Sequence, residues 1–354
     1  MKDVTLREVA KEAGMSLAAV SFALRDSPKI SQVKREHIKA VAKRLGYRAN
    51  PLVSAGMARM RGSRAAKYQA TLGWVNDQPN PDHWHEQKRY LGALARAEEL
   101  GYILDELFLD VIRHQEPQAN VLRFCQIARA RGIHGVILPE QYRCHHIQEE
   151  WPDMAVVVVG GVTGLLHHSS LRRHSLYSPF HSVTADTFIN LRIAYDALWE
   201  RGYKRVGLAT SQWANENLDN QLRAAALEFN ELVPSARRVK PFLSDQFSKK
   251  VPDAFALWIG KSRPDVVIAT NHEVGGWLNQ LGLKIPGDIG LMHLNLGPQE
   301  HGWSGIDQRD ELIGASAVDM ISAHMQRNER GIPPYQKRMS IPGCWVDGAT
   351  TKPL

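Results

Sequence analysis

A chain of 354 residues, 44% hydrophobic and 23% charged, is long enough for a small module plus one large or two medium domains, each with its own core. Its formal net charge is +7, and its three cysteines, Cys125, Cys144 and Cys344, are widely spaced. This excludes a disulfide framework and zinc-finger spacing, and it points to a reducing cytoplasm. No run approaches the roughly 20 apolar residues of a membrane span, and the N-terminus lacks an apolar signal core. A soluble, cytoplasmic protein with no membrane partner is expected.

The first predicted element follows Thr5, which with Glu8 forms a Thr-x-x-Glu capping box ahead of Leu6, Val9, Ala10 and Ala13 at helical spacing. Gly14 supplies a permissive turn, and Ser16 is a good N-cap for a second helix whose inward residues are Val20, Ala23 and Leu24. A third segment has Ser31 as its cap, an apolar stripe of Val33, Ile38, Val41, Ala42 and Leu45, and Gly46 as its stop. The spacing predicts a helix-turn-helix in a three-helix unit, whose second helix offers its outer face to the DNA major groove. Charge separates this reading from an ordinary surface hairpin. Residues 1 to 67 hold 15 Lys and Arg against 5 Asp and Glu, a net of +10, while the remainder nets −3. Such segregation is the footprint of a phosphate-binding module joined to a nearly neutral domain.

Residues 50 to 67 form a short basic stretch with too few large apolar residues for a core, and read as a linker. From Tyr68 onward, short apolar strands alternate with amphipathic helices. "ATLGWV", "GVILPE" and "AVVVVGG" belong to a first set. After a loop-like segment at 161 to 181 the pattern restarts with "HSVTAD", "RVGLAT", "DVVIAT" and "IGLMHL". Two parallel α/β halves with a cleft between them are predicted. Ligands of such sheets bind outside the carboxyl ends of the strands. The loops there carry Asn76, Asp77, Trp84, Trp213, Asn271, His272 and Asn295, aromatic platforms and hydrogen-bonding groups suited to a polar small molecule such as a sugar.

The whole chain, from Val4 to Thr350, resembles the lactose-repressor/galactose-repressor family of bacterial transcription regulators. The residues that carry the resemblance are "VTLREVAKEAGMSLAAVSFAL", "LGYRANP", "ERGYKRVGLAT", "IPGDIGLM" and "GCWVDGAT". It implies an N-terminal all-α helix-turn-helix headpiece (1–49), a hinge (50–67) that becomes helical on operator DNA, and an α/β periplasmic-binding-protein-like core (68–354) of two parallel-sheet subdomains. The first subdomain would take about 68–188 and 308–337, the second about 189–307 and 338–347. A homodimer is implied that binds double-stranded operator DNA and a small-molecule effector, a sugar or related metabolite, with repression the default role and no cofactor.

Several site residues carry over. Ser16 and Ser21 match polar positions of the family's recognition helix, and Leu17, Ala18 and Phe22 match base-facing ones, Phe22 standing where an Arg is usual. Thr5, Leu6, Arg25, Lys29 and Ser31 complete the expected DNA-contacting set, and Asn50 matches the start of the hinge helix. Gly56 stands where a minor-groove Leu is usual, which leaves Met57 as the wedge. Arg223 and Asn271 match effector contacts, Asp186 a position that often faces the pocket, and Asn295 one where Asp is common. With only Ser21 able to hydrogen-bond a base edge, the operator half-site is expected to be T-rich. The chain ends soon after "CWVDGAT", so a dimer rather than a tetramer is expected.

Two other classes compete. An enzyme would show a motif, but no G-x-S-x-G elbow, P-loop or H-E-x-x-H sequence is present, and the His145-His146 and His167-His168 neighbours are poor metal pairs. A cytoplasmic α/β sugar-binding protein without a DNA role would leave the basic headpiece unexplained.

Overall fold

The computed structural model describes residues 6–24, 30–45, 47, 69–76, 84–108, 117–138, 154–160, 180–245 and 248–354. Thr5, Arg25, Lys29, Gly46, the linker from Asn50 through Met57 to Lys67, Asp77 and the 161–179 segment lie outside the described residues.

Three helices open the chain: α1 (Leu6–Glu12), α2 (Leu17–Leu24) and α3 (Gln32–Leu45). Gly14 turns between the first two at φ +63°, a left-handed conformation that glycine adopts without a Cβ penalty. Ser16 caps α2, its Oγ accepting from Ala19 N at 3.1 Å. Val9, Ala10, Ala13, Val20, Ala23, Ile38, Val41 and Ala42 form the core of this unit. Val33 departs from the predicted stripe and is 79% exposed. Five residues before Ile38, it lies roughly 140° around the helix from the stripe at 100° per residue. The stripe position is held by Arg35, whose Nη2 donates to Ile30 O at 3.0 Å.

Two six-stranded sheets follow. The first uses β1 (Ala70–Asn76), β2 (Tyr102–Phe108), β3 (Ile133–Leu138), β4 (Ala155–Val159), β5 (His181–Ala185) and β11 (Arg338–Ile341), all parallel, in the order β11-β5-β4-β3-β1-β2. Helices α4 (Trp84–Leu100) and α11 (Asp310–Arg327) cover one face and α5 (Pro117–Ala130) the other. The near-continuous apolar run of β4 reflects burial on both faces.

The second sheet is ordered β12-β10-β9-β8-β6-β7. Its strands are β6 (Val206–Thr210), β7 (Phe242–Leu243), β8 (Val266–Ala269), β9 (Gly290–His293), β10 (Ser304–Asp307) and β12 (Cys344–Val346), the last antiparallel to β10. Helices α6 (Thr187–Glu200) and α8 (Gln221–Glu231) pack on one face, α9 (Asp253–Ser262) and α10 (Glu273–Gln280) on the other. The short helix α7 (Gln212–Asn217) follows β6.

The chain crosses between the sheets three times, after β5, after β10 and between β11 and β12. Because β11 pairs with β5, residues 338–341 belong to the first subdomain, not to the second as the sequence reading placed them; only 344–346 join the second sheet. A strand this short and exposed carries no periodicity that reveals its partner. The crossovers are knitted together: Asp186 N donates to Ile341 O at 2.9 Å, and Gly343 N to Asn190 Oδ1 at 2.7 Å.

Candidate nucleic-acid interface and effector cleft

On the headpiece, the exposed cations Arg7, Lys11 and Lys34 surround the helix-turn-helix. In α2, Ser16 is exposed and Leu17 is 44% exposed. Phe22 is half-buried yet is absent from the cluster that forms the three-helix core. Leu6, by contrast, packs against that core, so its side chain supports the fold of the headpiece. Ser31 is exposed just before α3. The side chains of Ala18 and Ser21 lie outside the described residues.

Both sheets turn their carboxyl ends toward the crossovers, since β5 and β10 leave for the other subdomain from those ends. At the carboxyl end of the second sheet, Thr210 Oγ1 lies 2.8 Å from Thr270 Oγ1, which is 3.0 Å from Asn271 Oδ1. Trp213, the second residue of α7, has its side chain half in solvent and its backbone N donating to Asp245 Oδ1 at 3.0 Å. Asn215 bridges onward: its Nδ2 donates to Asn220 Oδ1 at 2.8 Å and its Oδ1 accepts from Arg223 N at 2.9 Å. Arg223 is thereby fixed through its backbone while its side chain is exposed. The buried Oδ1 of Asn295, two residues after β9, has no hydrogen-bond partner among the described residues. A buried acceptor left unpaired costs about 1–3 kcal/mol, so a donor arriving from a ligand is favoured there. Next to it, His293 Nδ1 lies 2.6 Å from Asn295 O, and burial holds this imidazole below its ordinary pKa, with Glu300 opposing.

The first sheet contributes a cavity of about 260 Å³ at the end of β1, lined by Trp74, Asn76, Glu86, Gln87, Tyr90 and Leu91. Trp74 Nε1 donates to Asn76 Oδ1 at 3.1 Å, and Asn76 Nδ2 donates to Glu106 Oε2 at 2.9 Å. Burial and the Glu106 carboxylate raise the Tyr90 phenol pKa, so it remains a neutral hydroxyl. Trp84 begins α4, though its side chain is not among those described. Asp186 serves locally as the N-cap of α6, its Oδ1 accepting from Ile189 N at 3.0 Å.

At the opposite end of the first sheet, where β1 and β5 begin, donor atoms of His181, His324 and Glu329 lie within 4.8 Å of one another. A ligating imidazole normally donates its second N–H to an acceptor. Here His181 Nδ1 accepts the Lys337 N–H at 2.9 Å, which puts the ring proton on Nε2. Arg327 grips both oxygens of Glu329, at 2.7 and 3.0 Å. The donor set does not fit a metal ion.

Comparison with known proteins agrees with both halves of this picture. Residues 5–50 match the family model for bacterial regulatory proteins of the lacI family, and residues 195–351 that for the periplasmic binding protein-like domain. The two matches together span more than half of the chain. The headpiece is that of the lacI family of bacterial regulatory proteins, joined to a periplasmic binding protein-like domain. It is similar to the HTH-type transcriptional regulator GalR of Salmonella typhimurium, at 23% identity over 81% of this chain and 78% of that protein. The fold is similar to that of the transcriptional regulator CelR in complex with cellobiose (TM-score 0.53, 18% identity, 98% and 99% of the two chains). It is also similar to the lac repressor dimer bound to operator and the anti-inducer ONPF (TM-score 0.53, 14% identity, 99% and 100%).

With that headpiece the protein is a DNA-binding transcription regulator. Among the described residues no helix is long and apolar enough to cross a membrane. Sequence reasoning singled out Trp213, Arg223, Asn271 and Asn295, all of which lie in loops or first turns at one end of the second sheet. It missed Asn215, Glu106, Tyr90 and His293. Glu106 and Tyr90 come from a strand and a helix with no local signal, and only the packing of α4 against β1 and β2 brings them to Asn76.

Proposed function

We propose that this regulator binds operator DNA as a homodimer and that a small polar effector, a sugar, held between the two subdomains sets its operator affinity, with repression as the default output. The observation that carries the reading is the convergence of polar side chains from the loops after β1, β6, β8 and β9 on the ends where the chain crosses between subdomains. Arg223 offers five donors in a rigid fork, Asn271 both donates and accepts, and Trp213 offers an aromatic face for a pyranose ring. Asp77 and Trp84 are the effector contacts proposed from the first subdomain, and Asp186 and Asn295 complete the set. On the DNA, Ser16, Arg25 and Lys29 contact phosphates and Leu17, Ala18, Ser21 and Phe22 face bases. Thr5 and Ser31 complete the DNA-contacting set, the Leu6 side chain supports the headpiece core behind it, and Asn50 and Met57 act at the minor groove.

A thermal-shift screen of sugars on the full chain tests the effector site, because a ligand that binds the native state raises its midpoint by mass action. The responding sugar should lose its effect in Arg223→Ala while that variant still binds DNA. An unchanged sugar affinity in calorimetry would remove Arg223 from the site.

A further inference from the structure

The turn between α7 and α8 holds two successive non-glycine residues in the left-handed region, Asp219 at φ +55° and Asn220 at φ +60°. Asp and Asn tolerate this conformation better than other L residues, but two in a row need contacts to keep them there. On one side, Asn220 is tied through Asn215 to the backbone N of Arg223. On the other, the Asp219 carboxylate comes within 4.0 Å of Arg338 Nη1, with the two side chains 28% and 31% exposed. Arg338 opens β11, the edge strand of the first sheet, whereas Asp219 belongs to the second subdomain. The pair therefore spans the two subdomains, and burial raises the Asp219 carboxyl pKa while Arg338 opposes the rise.

We propose that Asp219 and Arg338 are positioning residues that couple the seat of Arg223 on the second subdomain to the edge strand of the first. The proposal rests on the cleft reading above. An effector drawn in by Arg223 pulls on the first turn of α8, and the Asp219–Arg338 pair passes that displacement to β11 directly, without the crossovers. The pair is worth little as a stabiliser, since a partly exposed ion pair adds at most a few-fold to a population ratio. Its place makes it a coupler.

Hydrogen–deuterium exchange on the full chain tests this without an effector. Asp219→Asn keeps the tolerance for a left-handed backbone and removes only the charge. Arg338→Gln removes the other charge, and Arg338→Lys keeps it. Each charge-removing variant should speed exchange by about two- to fivefold in the other partner's segment, Asp219→Asn at 338–341 and Arg338→Gln at 220–226. The double variant should do no more than either single one, and Arg338→Lys should stay near wild type. Effects confined to each variant's own segment, or adding in the double variant, would overturn the coupling. Failure there leaves the cleft reading intact. An Arg223→Ala protein that keeps its sugar response would reject the cleft reading and leave the exchange result standing.

Discussion

The proposed base contact at Phe22 turns on a single side chain. A phenyl ring gives no hydrogen bond, and an apolar contact in the major groove favours the thymine methyl, whereas a guanine edge is best read by Arg. Phe22→Arg should shift the preference at one base pair toward guanine by about 1–3 kcal/mol, read by binding-site selection. Guanine already selected by the wild type, unchanged by Arg, would assign Phe22 to packing instead. A second residue-scale expectation concerns acid. The His181 and His324 rings lie 4.3 Å apart, both buried. Burial first, then the neighbouring His181, pushes the pKa of His324 down from 6.5 to about 4. Between those values the unfolded chain takes up a proton that the native protein excludes, so stability is full above about pH 6.5 and falls as pH drops through the window. The thermal midpoint should fall between about pH 7 and pH 5, and His324→Gln should shrink that fall. An equal fall in the variant would move the acid sensitivity elsewhere.

Among the elements, the crossing of α4 and α11 is the tightest helix contact of the first subdomain. A Cβ at Gly92 would stand 1.9 Å from Glu311 O, and one at Gly314 would stand 1.8 Å from Arg89 O. Backbone is the obstacle in both cases, so neither helix can yield locally. Gly92→Ala or Gly314→Ala should destabilise the core by about 1–3 kcal/mol or more, measured by denaturant midpoint. Beside the glycines, Arg89 Nε donates to Asp310 Oδ1 at 2.7 Å, with both side chains nearly inaccessible. Burial raises the Asp310 carboxyl pKa even against the pull of Arg89. Removing Arg89 alone strands a buried carboxylate, so Arg89→Leu should cost about 3–5 kcal/mol, and adding Asp310→Leu should recover much of it. A milder effect of the single change, with no recovery in the double one, would show that the pair is not what holds the crossing.

Across the whole molecule, charge and architecture divide the labour. The excess of +10 in the first 67 residues suits a phosphate partner, and the nearly neutral core carries the proposed effector cleft. DNA affinity should therefore drop steeply with salt through counterion release, and the slope of log affinity against log salt measures it. A slope near zero would contradict a phosphate-bound headpiece. Sedimentation of the full chain should show dimers with and without DNA.

The sequence alone determined the helix-turn-helix, because Ser16, Gly14 and the stripe ending in Ile38, Val41, Ala42 and Leu45 act within one or two turns of chain. It determined the parallel α/β class as well, since β4 and β8 are apolar runs that only a sheet covered on both faces can bury. It also identified the polar loops, whose residues sit at the ends of legible strands. The position of Val33 was decided by helix phase against a core it does not reach. Which sheet claims 338–341 was decided by pairing with β5, a contact more than 150 residues away in the chain. The Asn76–Glu106, Arg89–Asp310 and Asp219–Arg338 contacts exist only because packing brings distant elements together. Local sequence carries local energies, and contacts between distant segments follow from the fold as a whole.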